Sequence, residues 1–358
     1  MGKRTVTVLA LAAAAATAAP VGAQTPASAT QTASERVRLI TRAVTSVPPV
    51  VRYQRGGDEQ TDRQTRSFKI GAQGDIDVSN IAGDIVITRG SSNEATIEIV
   101  KRARGRSAAE AREMLGLVQV NVVERSGRIE IRTQYPHGDE MRRTNRRNVN
   151  VSVDVTISAP EGTRVAAKSL SGDLKATGIK GDLTLETMSG DVAISGASRI
   201  ATAKSLSGEV TITDTRTDGS IEASSMSGTV TLRQGRARRL DLGSISGNIV
   251  VLDVESDHAD LHSFSGDVEF GGGFVKNGRY EMKSHSGDVR VTVAGSIGFE
   301  VEATTFSGLV RSDLQLKMLG AERASDRSRR RSLRGTYGDG SAMVAITTFS
   351  GNVVVTKR

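Results

Sequence analysis

The chain has 358 residues, 48 Lys and Arg against 40 Asp and Glu, a formal net charge of +8, no cysteine, no tryptophan and only 3% aromatic residues. Without cysteine there can be no disulfide, thiolate nucleophile or thiolate metal site, so stability has to come from a core and a backbone ladder. So few aromatic side chains offer bases no stacking platform, which argues against a nucleic-acid partner in spite of the basic balance.

The first residues, Met1-Gly2-Lys3-Arg4, lead into an apolar run from Val6 to Ala19 and then Val21-Gly22-Ala23. A charged start, a short apolar centre and a small-x-small site ending at Ala23 are the features of a secretory signal peptide. Residues 1–23 are therefore expected to be removed on export. No other stretch approaches the roughly 20 apolar residues of a membrane-spanning helix, so the expectation is a periplasmic, cell-surface or secreted protein with no transmembrane segment after cleavage. Residues 24–65 are rich in Thr, Gln, Ser, Ala and Arg, are broken by Pro48-Pro49 and Gly56-Gly57, and read as a linker with at most one short helix around Glu35 to Val44.

Strand patterns begin at Phe68. Ile76 and Val78 alternate with polar neighbours, and Ile81-Ala82-Gly83-Asp84 is followed by Ile85 and Ile87. Ser107-Ala108-Ala109-Glu110 is a capping box that opens a helix ending near Gly116. Strands are expected at about Val118–Val123, Arg128–Thr133 and Val149–Ile157, followed by a turn at Ala159-Pro160-Glu161-Gly162. Residues 66–163 thus form an irregular N-terminal β cap with one helix.

From residue 164 to 358 a repeat takes over. Ser-Gly recurs with the glycines at Gly172, Gly190, Gly208, Gly228, Gly247, Gly266, Gly287, Gly308 and Gly351, in steps of 18 to 21 residues and then one of 43. The residue before each serine is Leu170, Met188, Leu206, Met226, Ile245, Phe264, His285, Phe306 or Phe349, and an acidic or amide residue usually follows the glycine. Alternating pairs such as Val192/Ile194 and Val210/Ile212 come next. A fixed period filled with such pairs means stacked units that bury their apolar faces on one another. The predicted fold is all-β, a parallel β-solenoid or β-roll of about 20-residue coils. Ser-Gly-Asp is expected at the corners, with glycine supplying positive φ. The apolar column before each serine is expected in the core, and the Ser and Thr columns in hydrogen-bonded ladders. The 43-residue step is two coils, one of them lacking Ser-Gly or carrying an insertion.

Repeated apolar-Ser-Gly-Asp-Val units, preceded by a strand pair, a short helix, Tyr135-Pro136 and a Pro-x-Gly turn, resemble the bacterial putative-adhesin family. That group is a domain of unknown function related to the head domains of putative autotransporter adhesins. The resemblance runs from about Phe68 to Arg358. It implies a β-solenoid in the cell envelope and brings no catalytic motif.

The serines of the nine repeated Ser-Gly corners are turn residues rather than nucleophiles, since no Gly-x-Ser-x-Gly elbow is present. His258, His262 and His285 lie in neighbouring repeats, but His285 fills an apolar slot and His262 an outward one, so no metal is assigned. The acidic column of Asp173, Asp191, Glu209, Asp267 and Asp288 is read as turn chemistry, because calcium-binding β-rolls use a repeat half as long. No cofactor is implied. The strongest charge cluster is Lys317, Arg323, Arg327, Arg329, Arg330, Arg331 and Arg334. It is expected to be a basic loop near 317–335, extruded from the stack, that attracts an anionic envelope polysaccharide or lipid surface. The function expected is non-enzymatic, adhesin-like binding at the envelope. A self-associating structural or stress scaffold and a glycan-active β-helix enzyme are the alternatives, and the oligomeric state is left open.

Overall fold

The computed structural model describes residues 58–91, 93–136, 149–318 and 331–358. The signal peptide, the short helix around Glu35 to Val44 and Arg323, Arg327, Arg329 and Arg330 lie outside the described residues. Residues 56–358 form one compact unit. Among the described residues its fold is nearly all β and solenoid-like, with 24 strands in one sheet.

In the regular part, each repeat supplies one strand before Ser-Gly and one after it. Asp182–Ser189 pairs in parallel with Arg164–Ser171 on one side and Arg199–Ser205 on the other, Leu183 lying between Val165 and Ile200. Past the corner, Val192–Ser195 lies between Leu174–Thr177 and Val210–Arg216 in the same way. Alternation sends every second side chain inward. Leu183, Leu185, Val192 and Ile194 are all buried, as are their equivalents Leu240, Leu242, Ile249 and Val251 farther along. Toward the C-terminal end the core is aromatic: Phe270, Phe274, Tyr280 and Phe299 pack together, with ring centroids of Phe274 and Tyr280 4.4 Å apart. Tyr280 fits because the residue beneath it in the column is Ala259. Its hydroxyl donates to Ser256 O at 2.5 Å and accepts from Val275 N at 2.9 Å.

At both ends the stacking order departs from the chain order. Strand Asp75–Ala82 lies between Arg128–Gln134 and Arg164–Ser171, and Ile85–Arg89 lies between Val151–Ala159 and Leu174–Thr177. Glu94–Gly105 then runs antiparallel to Val151–Ala159. The helix Ala108–Leu117 starts as expected: Ser107 Oγ accepts from Glu110 N, and the Glu110 carboxylate accepts from Arg106 N. It buries Ala111, Met114 and Leu115. The linker expected over 24–65 ends earlier than supposed. Asp58–Lys69 is a strand paired antiparallel with Glu94–Gly105 along its whole length. Most of its side chains are exposed, so it carries no apolar period to betray it.

The C-terminal end corrects the reading of the 43-residue step. Ala342–Ser350 inserts between the strand Val268–Ser286 and Phe299–Ser307, parallel to both. Among the described residues, the segment between supplies no further coil. Ser332–Tyr337 turns back antiparallel on Phe299–Ser307, and Lys317–Met318 pairs antiparallel with it. Lys317 and Arg334 therefore lie on strands rather than in an extruded loop.

Candidate functional site: the repeated corner

The nine Ser-Gly glycines all fall at the bend between the two strands of a coil. Positive φ is not what selects them. Gly266, like six others of the nine, has no positive φ. Left-handed residues sit at the opposite bend instead, at Gly178, Gly196, Asp214, Gln234 and Asp253, with φ between 51° and 72°. At the Ser-Gly corner glycine is required by close approach. A Cβ on Gly228 would lie 2.1 Å from Gly208 O, and one on Gly266 would lie 2.3 Å from Gly247 O. The strands draw in there until each glycine rests on the carbonyl of the one before.

That carbonyl is answered from inside. Ser225 Oγ donates to Gly208 O at 2.8 Å and accepts from Gly228 N at 2.9 Å. Ser205, Ser263, Ser284, Thr305 and Thr348 each donate to a neighbouring coil's glycine carbonyl at 2.8–3.0 Å. These hydroxyls are buried, so the expected Ser/Thr ladder exists, two residues ahead of the Ser-Gly serine. In the first copy, Asn80 takes the same place and donates to Gly83 O and Val153 O. On the other side of the bend the acidic column holds the backbone. Asp173 Oδ1 accepts from Asp191 N, Asp191 Oδ1 from Glu209 N, and Asp267 Oδ1 from Asp288 N, all at 2.8–2.9 Å. One carboxylate oxygen of each of these residues is thus committed to the next coil.

Because the Ser/Thr column points in, the residue after it must point out. The apolar column expected in the core is on the surface. Leu170 is 48% exposed, Met226 45%, Ile245 49%, Phe264 59% and Phe306 63%, with Met188, Leu206 and Phe349 also exposed. The backbone ladder continues through the bend, with Ser207 N bonded to Met188 O and Ser227 N to Leu206 O, so these side chains stack in register. At a coil spacing of roughly 4.8 Å, the nine positions make a ridge about 40 Å long. Its aliphatic half runs from Leu170 to Ile245. Its aromatic half is a stack in which Phe264, His285, Phe349 and Phe306 succeed one another with centroids 4.7–4.9 Å apart and ring planes within 12° of parallel. A groove of about 820 Å³ runs beside the aliphatic half, walled by Met188, Leu206, Met226, Ile245 and Phe264.

The ridge was legible in principle. Val165, Ala167 and Ser169 alternate inward, so Leu170 has the wrong parity for the core. Alternation, rather than apolar character, decides which side of the strand each residue faces.

The remaining sequence candidates are dispersed. His262 lies over Gly243, where a Cβ would come 2.7 Å from its Nε2, and His285 is bound into the aromatic stack. Among the described residues, no cluster of His, Asp or Glu could hold a metal ion. Lys317, Arg331 and Arg334 gather at the C-terminal end, all exposed, with Arg311 exposed nearby on a strand of the outermost coil.

No helix among the described residues is long and apolar enough to cross a membrane. No curated protein matches the sequence. Solved structures match over most of the chain at low identity. A putative adhesin from Bacteroides fragilis is 14% identical, over 83% of this chain and 97% of that one, with a TM-score of 0.41. A putative adhesin from Parabacteroides distasonis is 12% identical over the same shares, with a TM-score of 0.38. A protein from the same organism described as a putative lipid binding protein is 11% identical, again over 83% and 97%, at 0.35. The family model Toastrack DUF4097 matches residues 74–356, which takes in both shuffled ends as well as the regular coils, and the chain belongs to that family.

Proposed function

We propose that this is an exported, non-enzymatic envelope-interaction protein, a stack of parallel coils that attaches by its C-terminal basic end. The supporting observation is the cluster of exposed cations at its C-terminal end. Along the ridge, Lys168 is held by Glu186 at 2.9 Å and Lys204 by Glu222 at 2.6 Å, and Arg290 bridges Asp267 and Asp288. On the outermost coil and its hairpin, Arg311, Lys317, Arg331 and Arg334 are exposed and make no ion pair with another described residue, although Glu302 stands opposite Arg334 in the ladder. Cations left without an internal partner at the tip of a rod are free to meet an anionic polysaccharide or lipid headgroup, through a Coulomb term that salt screens. The outward chemistry of the regular coils repeats from level to level, which suits attachment better than a single catalytic constellation.

The test is sedimentation of residues 24–358 with isolated bacterial envelopes across a salt series. The comparison is a variant with Lys317, Arg323, Arg327, Arg329, Arg330, Arg331 and Arg334 changed to Ser. Binding that weakens with salt and is lost in the variant supports the reading, and equal binding by both forms overturns it. The self-associating scaffold keeps one specific observation in its favour, the exposed ridge.

A further inference from the structure

We infer that the ridge is a dimer interface for a second copy of this chain, the two rods lying side by side with their axes parallel. Eight apolar side chains about half exposed, at areas of roughly 150–200 Å² each, present on the order of 700 Å². That exceeds the few hundred Å² of an ordinary monomer's apolar patch and is close to the roughly 800 Å² per partner of a stable interface. The fold does not need this surface to be apolar, since the ladder beneath it is closed by Ser and Thr hydroxyls and glycine carbonyls.

Periodicity and charge choose the occupant. A ridge with one knob per coil is matched at every position only by a surface with the same spacing, and this chain supplies one. An acidic rail of Asp173, Asp191, Glu209, Asp267 and Asp288, interrupted by Thr229 and Asn248, runs along one flank of the ridge, and Asp173, Asp191, Asp267 and Asp288 are tied to backbone N–H groups of the next coil. An anionic bilayer or polysaccharide laid on the ridge would be repelled by that rail. The other flank carries lysines two residues before the ridge position. A two-fold axis parallel to the rods brings one copy's lysine flank against the partner copy's rail, level by level: Lys168 meets Asp173, Lys204 meets Glu209 and Lys283 meets Asp288. Glu186 against Asp191 is the one mismatch. A two-fold axis perpendicular to the rods would set each flank against its own kind. The exposed intramolecular pairs of Lys168 with Glu186, Lys204 with Glu222 and Lys283 with Glu281 cost little to exchange. In the parallel arrangement both basic ends point the same way, so the dimer would attach to an envelope bivalently. The dimer itself does not depend on that attachment.

The natural chain has no cysteine, so single-cysteine variants Leu170→Cys, Met226→Cys and Phe349→Cys of residues 24–358 report alignment directly. With a short bis-maleimide, all three are expected to give cross-linked dimers. A dimer cross-linked through Met226→Cys alone would mean antiparallel rods and overturn the parallel arrangement. Sedimentation velocity is expected to show at least a tenfold weaker dimer for Met226→Ser with Phe264→Ser, with an unchanged melting midpoint at monomer concentrations as the control for folding. Lys204→Glu with Lys283→Glu should weaken it too. A wild-type chain that stays monomeric at all concentrations, a dimer indifferent to the ridge variant, or a monomer that co-sediments with neutral phosphatidylcholine vesicles through the ridge would each overturn the inference. Loss of envelope binding with the dimer intact would fault only the basic-end reading.

Discussion

The regular coils from about residue 164 to 291 and the coils at the two ends are built from the same strands and the same corner, yet they are held differently. In the middle, each strand pairs with its neighbours in sequence, Leu183 with Val165 and Ile200. At the ends, pairing skips along the chain: Ile76 meets Ile129 and Val165, and Val344 fits between Tyr280 and Val301. The middle shows that a coil needs little more than glycine and a buried hydroxyl at its corner, with a carboxylate or amide acceptor added on most levels. The ends show that a solenoid can be closed by moving a coil out of sequence and laying antiparallel strands over the last one.

Removing residues 342–358 should break this comparison most severely. The deletion takes out a coil from between two others, leaving Val268–Ser286 and Phe299–Ser307 without their shared partner. Amide exchange is expected to lose protection from about residue 268 onward while the coils from 164 to 250 stay protected. Next in size is the corner glycine. Gly228→Ala should cost 3 kcal/mol or more, since the new Cβ has backbone 2.1 Å away and cannot be accommodated without parting the coils. Gly116→Ala, in the helix and with nothing within 4 Å, should stabilise by about 0.5–1 kcal/mol. Urea midpoints of the two variants measure the difference.

The buried hydroxyl comes third. Ser225→Ala removes both a donor to Gly208 O and an acceptor for Gly228 N, and should cost about 1–3 kcal/mol. Ser169→Ala, whose hydroxyl has no partner in the structure, should be close to neutral. Alkaline pH separates the regions without mutation. Burial pushes the Tyr135 phenol up to about 12, with the Asp154 charge adding to it, and burial does the same for Tyr280, also to about 12. Both folded values lie above the free value of 10, so their contribution is complete below pH about 10 and is lost as pH rises through about 12. No tyrosine lies between residues 136 and 279. Absorbance at 295 nm should show late-ionising tyrosines, and exchange should open the two ends before the middle. Smallest is Phe264→Ser, which should shift monomer stability by no more than about 0.5 kcal/mol because the ring is mostly in water.

These contrasts also explain what could be read beforehand. The coil length, the corner, the capping box at Ser107 and the strands after it were visible because each is fixed by residues close in sequence. The strand at Asp58–Lys69 was hidden because an edge lying in water needs no apolar face. The insertion of Ala342–Ser350 was hidden because its own pattern, with Phe349-Ser350-Gly351, is that of any other coil, and nothing local says which neighbour it will choose. The candidate surface is disguised for a different reason. The ridge residues looked like core because they are apolar, while the true buried column beside them is Ser and Thr, chosen for the glycine carbonyl it has to satisfy.

The inserted coil also sets a timetable. A solenoid whose strands pair in sequence can add coils as the chain arrives, each docking on a finished edge. Here the coil at Phe299–Ser312 arrives before Ala342–Lys357, which must come between it and the stack. Until then it has no permanent neighbour on that side, and the edge of Val268–Ser286 stays open. The contacts that close the rod span about 60 residues of sequence and form last, so refolding should show a fast phase for the middle and a slow one for the C-terminal third. A chain delivered from its N-terminus would hold an unfinished end until its final residues emerged.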